Sequence, residues 1–330
     1  MKFLIVAPNW VGDMVIAQSL FIHLLDRYGA DTTIDAIAPV WSLGVLNRMP
    51  QIRRAFALDT AHGEFGFRKR KTLGYALRAE KYDRAIVMPI TLKSALVPFF
   101  ADVPIRSGFT GEARFFLIND RRTLDKKAMP LMVERYLALD ERDAAIRNPS
   151  LRVDTSNQKR LLSALGLDAQ KPIIAFFAGA EYGEAKRWSP DYFAELGATL
   201  AKKGFQIWLF GSAKERDLGD RIAYEIGGAA RNLCAKTTLE EAIDLIALAK
   251  IAVTNDSGLM HVAAALNVFV AAIYGSSTPN HTPPLTDKKT IVSLNLPCSP
   301  CFKRLCPFGH TNCLTQIVPR TVFESIKDRL

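Results

Sequence analysis

Residues 255–267 read Asn-Asp-Ser-Gly-Leu-Met-His-Val-Ala-Ala-Ala-Leu-Asn. An apolar run, 251–254, comes just before them and reads as a buried strand; the stretch after it reads as a helix. Asp256, Ser257 and Gly258 sit where one hands over to the other. The first N–H groups of a helix lack internal partners and carry partial positive charge. The N–H groups of Ser257, Gly258 and Leu259 can therefore receive a diphosphate without a further cation. His261 follows Ser257 by four residues, which puts it on the same helix face one turn in. The competing reading makes Asp256 and Ser257 ordinary caps and His261 a packed core residue.

Two further turns have similar chemistry. After the apolar run 173–177 the chain reads Ala-Gly-Ala-Glu-Tyr-Gly-Glu-Ala-Lys-Arg-Trp. Gly179, Ala180 and Glu181 open a small-residue loop whose backbone N–H groups are accessible, and Lys186 and Arg187 add charge for a phosphate. The plain alternative is a basic surface loop. Near the start, Pro8-Asn-Trp-Val-Gly-Asp13 links another apolar run to a helix. Gly12 allows a tight bend or a close approach. Asp13 reads as either a helix cap or a carboxylate placed as a general base. No GxGxxG follows that first strand, which argues against a dinucleotide site.

A fourth group of candidates is Cys298-x2-Cys301-x4-Cys306-x6-Cys313. The first pair has metal-ligand spacing, so a structural metal stands beside the alternative of reduced thiols in a Pro-containing loop. The fifth cysteine, Cys234, reads as core. Basic stretches concentrate in the first half and include Arg68, Arg114 and Arg121. They read as solvated helix faces or as receivers of an anionic acceptor.

The elements that must position these residues alternate along the chain. Candidate strands cover 3–7, 33–38, 84–88, 173–177, 206–210, 251–254, 268–273 and 290–294. Candidate helices cover 14–25, 93–100, 130–139, 190–202, 217–226 and 239–249. The segment 141–170 is polar and reads as a linker, with a short helix at 158–165. Strand–helix alternation predicts an α/β chain of two doubly wound parallel sheets, with ligands at strand-to-helix turns. The division expected is 1–155, 156–318 and a terminal amphipathic segment, 319–330, folded back over the first domain. At 330 residues, 49% of them hydrophobic, the chain can bury two cores. Lys and Arg number 43 against 33 Asp and Glu, a net charge of +10. That excess favours an anionic partner, and no nucleic-acid-binding motif accompanies it. The first residues lack the pattern of a secretory leader. No apolar stretch reaches the roughly 20 residues of a bilayer span. The expectation is a cytoplasmic protein.

PNWVGDM at 8–14, KSALVPFF at 93–100, LMVERY at 131–136, GAEYGEAKRW at 179–188, LFGSAKE at 209–215 and NDSGLMHVAAALN at 255–267 occur in order. Together they resemble the ADP-heptose:lipopolysaccharide heptosyltransferases of glycosyltransferase family 9, and the WVGDM form resembles the type II branch. The likeness runs from about residue 1 to 295, and the Cys-rich tail is where the chain departs from it. The resemblance implies a GT-B fold of two Rossmann-like domains, the first binding acceptor and the second ADP-heptose. It implies an inverting transfer of heptose to the first heptose of a heptosyl-Kdo2-lipid A acceptor at the anionic inner face of the membrane, with no cofactor. It carries Asp13 over as general base, Lys186 as a catalytic and donor-binding cation, and the Asp256–His261 turn as donor binder. Lys93, Arg68, Arg114 and Arg121 become acceptor candidates. The rivals are a heptosyltransferase of type I or another nucleotide-sugar transferase of the same fold, and a nucleotide-sugar-binding protein without catalysis.

Overall fold

The computed structural model describes residues 1–61 and 63–330. They form two compact units, Met1–Pro149 and Ser150–Leu330. In the first, strands β1 (Lys2–Val6), β2 (Thr33–Ala38), β3 (Ile52–Ala57), β4 (Arg84–Val87), β5 (Ile105–Phe109) and β6 (Asp120–Arg122) form a parallel sheet in the order β3-β2-β1-β4-β5-β6. In the second, β7 (Ile173–Phe177), β8 (Gln206–Leu209), β9 (Ala230–Asn232), β10 (Ala249–Asn255), β11 (Phe269–Ile273) and β12 (Lys289–Val292) form a parallel sheet in the order β12-β11-β10-β7-β8-β9. Both orders are the doubly wound one, in which the strand order reverses beside the first strand and leaves a ligand crevice there. That point lies between β1 and β4 in the first unit and between β7 and β10 in the second.

The central strands are apolar on both faces because helices cover both sides. β1 buries Phe3, Leu4 and Ile5 completely, and every residue of β7 is buried. Helices Val11–Tyr28, Pro190–Lys202 and Gly258–Ala265 follow β1, β7 and β10 and direct their N-termini to the sheet ends where the candidate turns lie. No helix among the described residues is long and apolar enough to cross a membrane.

Two expectations about organisation need correction. The polar stretch read as a linker joins the second unit from Ser150 onward. The buried Asp244 carboxylate draws it in, accepting from Asp154 N–H at 2.8 Å and Asn157 Nδ2 at 2.7 Å, while Gln158 Nε2 donates to Asp244 O at 2.7 Å. The terminal helix Pro319–Ile326, expected over the first domain, belongs to the second unit. Its apolar stripe buries Val322 and Ile326 in the core that holds Trp188 and Phe193, and Trp188 Nε1 donates to Ile317 O at 2.6 Å.

Candidate active site

Adjacency of β7, β10 and β11 brings three turns side by side at one edge of the second sheet: 178–188 after β7, 256–261 after β10 and 274–277 after β11. Asn255, fully buried at the end of β10, joins the first two. Its Nδ2 donates to Ala178 O at 2.8 Å, and its Oδ1 accepts from Trp188 N–H at 3.0 Å. Gly179 packs against the Glu215 side chain, which a Cβ there would displace, since it would lie 1.5 Å from Glu215 Oε1.

Lys186 Nζ lies 2.5 Å from Asp256 Oδ2, and both side chains are largely buried. A buried charge is costly unless paired, so each of these two groups holds the other in place. Lysine carries three N–H donors, which leaves two for an incoming anion. Ser257 is the N-cap of helix Gly258–Ala265, but its side chain makes no cap hydrogen bond; its Oγ lies 3.3 Å from Thr254 Oγ1. The N–H groups of the first turn are thus not capped by that serine.

His261 is buried and its Nδ1 has no hydrogen-bond partner among the described residues. Burial pushes its pKa down to about 4, with Asp256 opposing the shift and Lys186 adding to it. The ring is therefore neutral near pH 7 and offers one donor and one acceptor. Ser276 and Ser277, also buried, have hydroxyls without a partner among the described residues. Sequence reasoning missed this pair, although they follow an apolar strand directly, as the other candidates do. Buried polar groups without partners are uncommon, and among the described residues three of the six lie at this end of the second sheet, where doubly wound sheets take ligands.

The His261 shift has a consequence for stability. Between about pH 6.5 and 4 the unfolded chain binds a proton at His261 that the native state refuses, so stability falls as pH falls through that window. The full loss is about 3 kcal/mol. Denaturant melts from pH 7 to 4 should show a shallower acid decline for His261→Gln than for the natural chain; equal slopes would contradict the assignment.

The other sequence candidates are placed as follows. Arg187 is exposed and reaches Ala180 O at 3.4 Å. Glu181 is exposed and pairs with Lys214 at 2.5 Å. In the first unit Gly12 is buried and Asp13 occupies the third position of helix Val11–Tyr28. The N-cap is Trp10, so the capping alternative for Asp13 does not apply. Asp13 is half-buried near Tyr136, whose phenol pKa is raised first by burial and then by the Asp13 charge. Arg68 and Arg121 are exposed. Lys93 Nζ donates to Glu64 O at 3.0 Å. Arg114 is buried, and its guanidinium donates to Pro89 O and Phe109 O, both at 2.6 Å, so it braces loops. Burial lowers its pKa to about 10.

All five cysteines are free, and Cys234 is a core residue as expected. Among the described residues no group of three or more His, Cys, Asp or Glu is set to hold a metal ion, yet Cys298, Cys301 and Cys306 gather near Cys313, whose thiol pKa is raised by burial and then by their charges. Backbone N–H groups, that of Thr311 foremost, favour the Cys306 thiolate and lower its pKa.

The family model of glycosyltransferase family 9 (heptosyltransferase) matches residues 70–312. The chain is 42% identical to lipopolysaccharide heptosyltransferase 2 of Salmonella typhimurium, over 100% of this chain and 99% of that one. It is 42% identical to the protein of the same name from Escherichia coli, over 99% and 97%. The solved E. coli ADP-heptose lps heptosyltransferase II superposes with a TM-score of 0.87 at 41% identity, over 100% of this chain and 98% of that one. Two Rossmann-ordered sheets, a polar crevice at the end of the second and this full-length similarity agree: the chain is a glycosyltransferase and belongs to glycosyltransferase family 9, the heptosyltransferases.

Proposed function

We propose that the protein moves L-glycero-D-manno-heptose from ADP-heptose to the first heptose of the Kdo–lipid A inner core, with inversion at the anomeric carbon. The observation that carries this reading is the crevice beside β7, β10 and β11. There a Lys186–Asp256 pair stands with neutral His261, Ser276, Ser277 and the start of a helix. Such a set suits a diphosphate joined to hydroxyl-rich groups. The names of the similar proteins support it, since the relatives are lipopolysaccharide heptosyltransferases and the solved one is described by ADP-heptose.

In this reading the second unit binds the donor and the first binds the acceptor. N–H groups of Ser257, Gly258 and Leu259 meet the diphosphate, and Lys186 offsets the charge that develops on ADP as it leaves. Asp256 orients the ammonium. His261 and the two serines hydrogen-bond to ribose or sugar. Asp13 takes the proton from the acceptor hydroxyl. The acceptor oxygen then bonds to the anomeric carbon on the face opposite the breaking bond to the β-phosphate, and ADP departs with that electron pair. The net charge of +10 suits an acceptor and a membrane surface that are both anionic.

The test is mass spectrometry of inner-core acceptors incubated with ADP-heptose. An acceptor that already carries one heptose should gain the mass of one more, and an acceptor ending in Kdo should gain none. Transfer to the Kdo-terminated acceptor alone would assign the protein to the first heptosyl step; no transfer from ADP-heptose to either would refute the reading.

A further inference from the structure

The segment from Cys298 to Cys313 follows the last strand of the second sheet, and no step above uses it. Its contacts tie it to two of the three site turns. Ser299 Oγ donates to Gly275 O, and Phe302 N–H donates to Ser276 O at 2.7 Å. Tyr182 Oη donates to Phe302 O at 2.8 Å, and Ala185 N–H donates to Arg304 O at 3.0 Å. Gly183 packs so closely on this segment that a Cβ there would lie 2.5 Å from Arg304 O and 2.8 Å from its Cα. Residues 302–304 and the 178–188 turn are therefore built against each other.

The side chains repeat the link. Lys186 Nζ lies 5.0 Å from the Tyr182 ring centroid, and the Arg304 guanidinium carbon lies 5.5 Å from the same centroid. Both cations lie within cation–π range of that one ring. Lys186 has Asp256 as counter-charge. Arg304 is exposed, and among the described residues no carboxylate pairs with it. An unneutralised guanidinium that shares a ring with the lysine of an anion site is suited to a multiply charged group, because its fork can meet two phosphate oxygens at once.

We propose that Arg304 is a second diphosphate-binding cation, delivered to the donor site by the Cys-rich segment through Tyr182. The inference rests on the reading that ADP-heptose binds at the Lys186 turn. Arg304 donates to phosphate oxygens of the bound donor and of the departing ADP, sharing with Lys186 the charge released when the sugar–oxygen bond breaks.

The experiment titrates ADP by calorimetry, and adenosine by ligand-observed NMR, into the natural chain and the variants Arg304→Gln, Arg304→Lys and Lys186→Ala. Arg304→Gln should weaken ADP by about tenfold or more, leave adenosine within twofold, and be partly rescued by Arg304→Lys. If Arg304→Gln binds ADP within twofold of the natural chain while Lys186→Ala does not, this inference falls and the donor-site reading stands. If Arg304→Gln weakens ADP and adenosine alike, the residue only shapes the loop and the inference falls. If Lys186→Ala also binds ADP normally, the donor-site reading falls with it.

Discussion

Replacing Asp13 by Asn should lower kcat by about 10²–10⁴-fold while ADP affinity stays within twofold. General-base help is typically worth that factor, and no other carboxylate sits in the turn after β1, where the chain reads Ala7-Pro-Asn-Trp-Val-Gly-Asp13. Asn keeps the size of the side chain but replaces one acceptor oxygen by an NH2 donor and removes the negative charge, and with it the ability to take a proton. The position also limits collateral damage. Asp13 stands in the first turn of helix Val11–Tyr28 and is not its cap, so losing its charge removes about 0.3–1 kcal/mol of favourable interaction with the helix dipole. Asp13→Glu should recover part of the rate. Steady-state kinetics beside ADP titration decides the matter: unchanged turnover in the Asn variant removes Asp13 from the chemistry, and a parallel loss of ADP affinity would make it a folding or binding residue.

Lys186→Ala should act on the donor. A hydrogen bond to a charged group is worth about 1.5–3 kcal/mol, so ADP affinity should fall about tenfold to a hundredfold. Turnover should fall further, because negative charge on the leaving group grows toward the transition state. Truncation has a second effect that must be separated from the first. It leaves Asp256, 7% exposed, without its cation, and breaking a largely buried pair is itself destabilising. The double variant Lys186→Ala/Asp256→Asn removes the stranded charge. It should regain thermal stability over the single variant and still fail to bind ADP well. Recovery of both together would mean that the lysine serves only to neutralise Asp256.

How much of this was legible beforehand follows from where the apolar residues fall. β2 and β7 read correctly to the residue, β7 because a buried parallel strand is a continuous apolar run and β2 despite the buried Asp35 within it. β3, Ile-Arg-Arg-Ala-Phe-Ala, was invisible by that measure. It is an edge strand whose Arg53 and Arg54 are both bound by the buried Asp35, a partner that only folding supplies. β6, Asp-Arg-Arg, is an edge strand of the same kind. The run Arg68–Lys71 read as a charged face; it lies in helix Phe67–Leu77, which buries Arg70, Gly74 and Leu77.

The candidate site divides in a similar way. Asp256, Ser257, Gly258, His261 and Lys186 were each legible from the turn they occupy. The 2.5 Å contact between Lys186 and Asp256 spans seventy residues and exists because β10 pairs with β7. Ser276 and Ser277 carried no motif beyond following an apolar strand, and the Cys-rich segment read as a structural-metal candidate or a loop of reduced thiols. Its hydrogen bonds to Tyr182, Ala185 and Ser276 are long-range contacts between loops, which local pattern cannot encode.

The most direct measurement is the crystal structure of the complex with ADP. The account requires the diphosphate at the start of helix Gly258–Ala265, within hydrogen-bond reach of the Ser257–Leu259 N–H groups and of Lys186 Nζ. A diphosphate seated anywhere else, with Lys186 still turned wholly to Asp256, would contradict it.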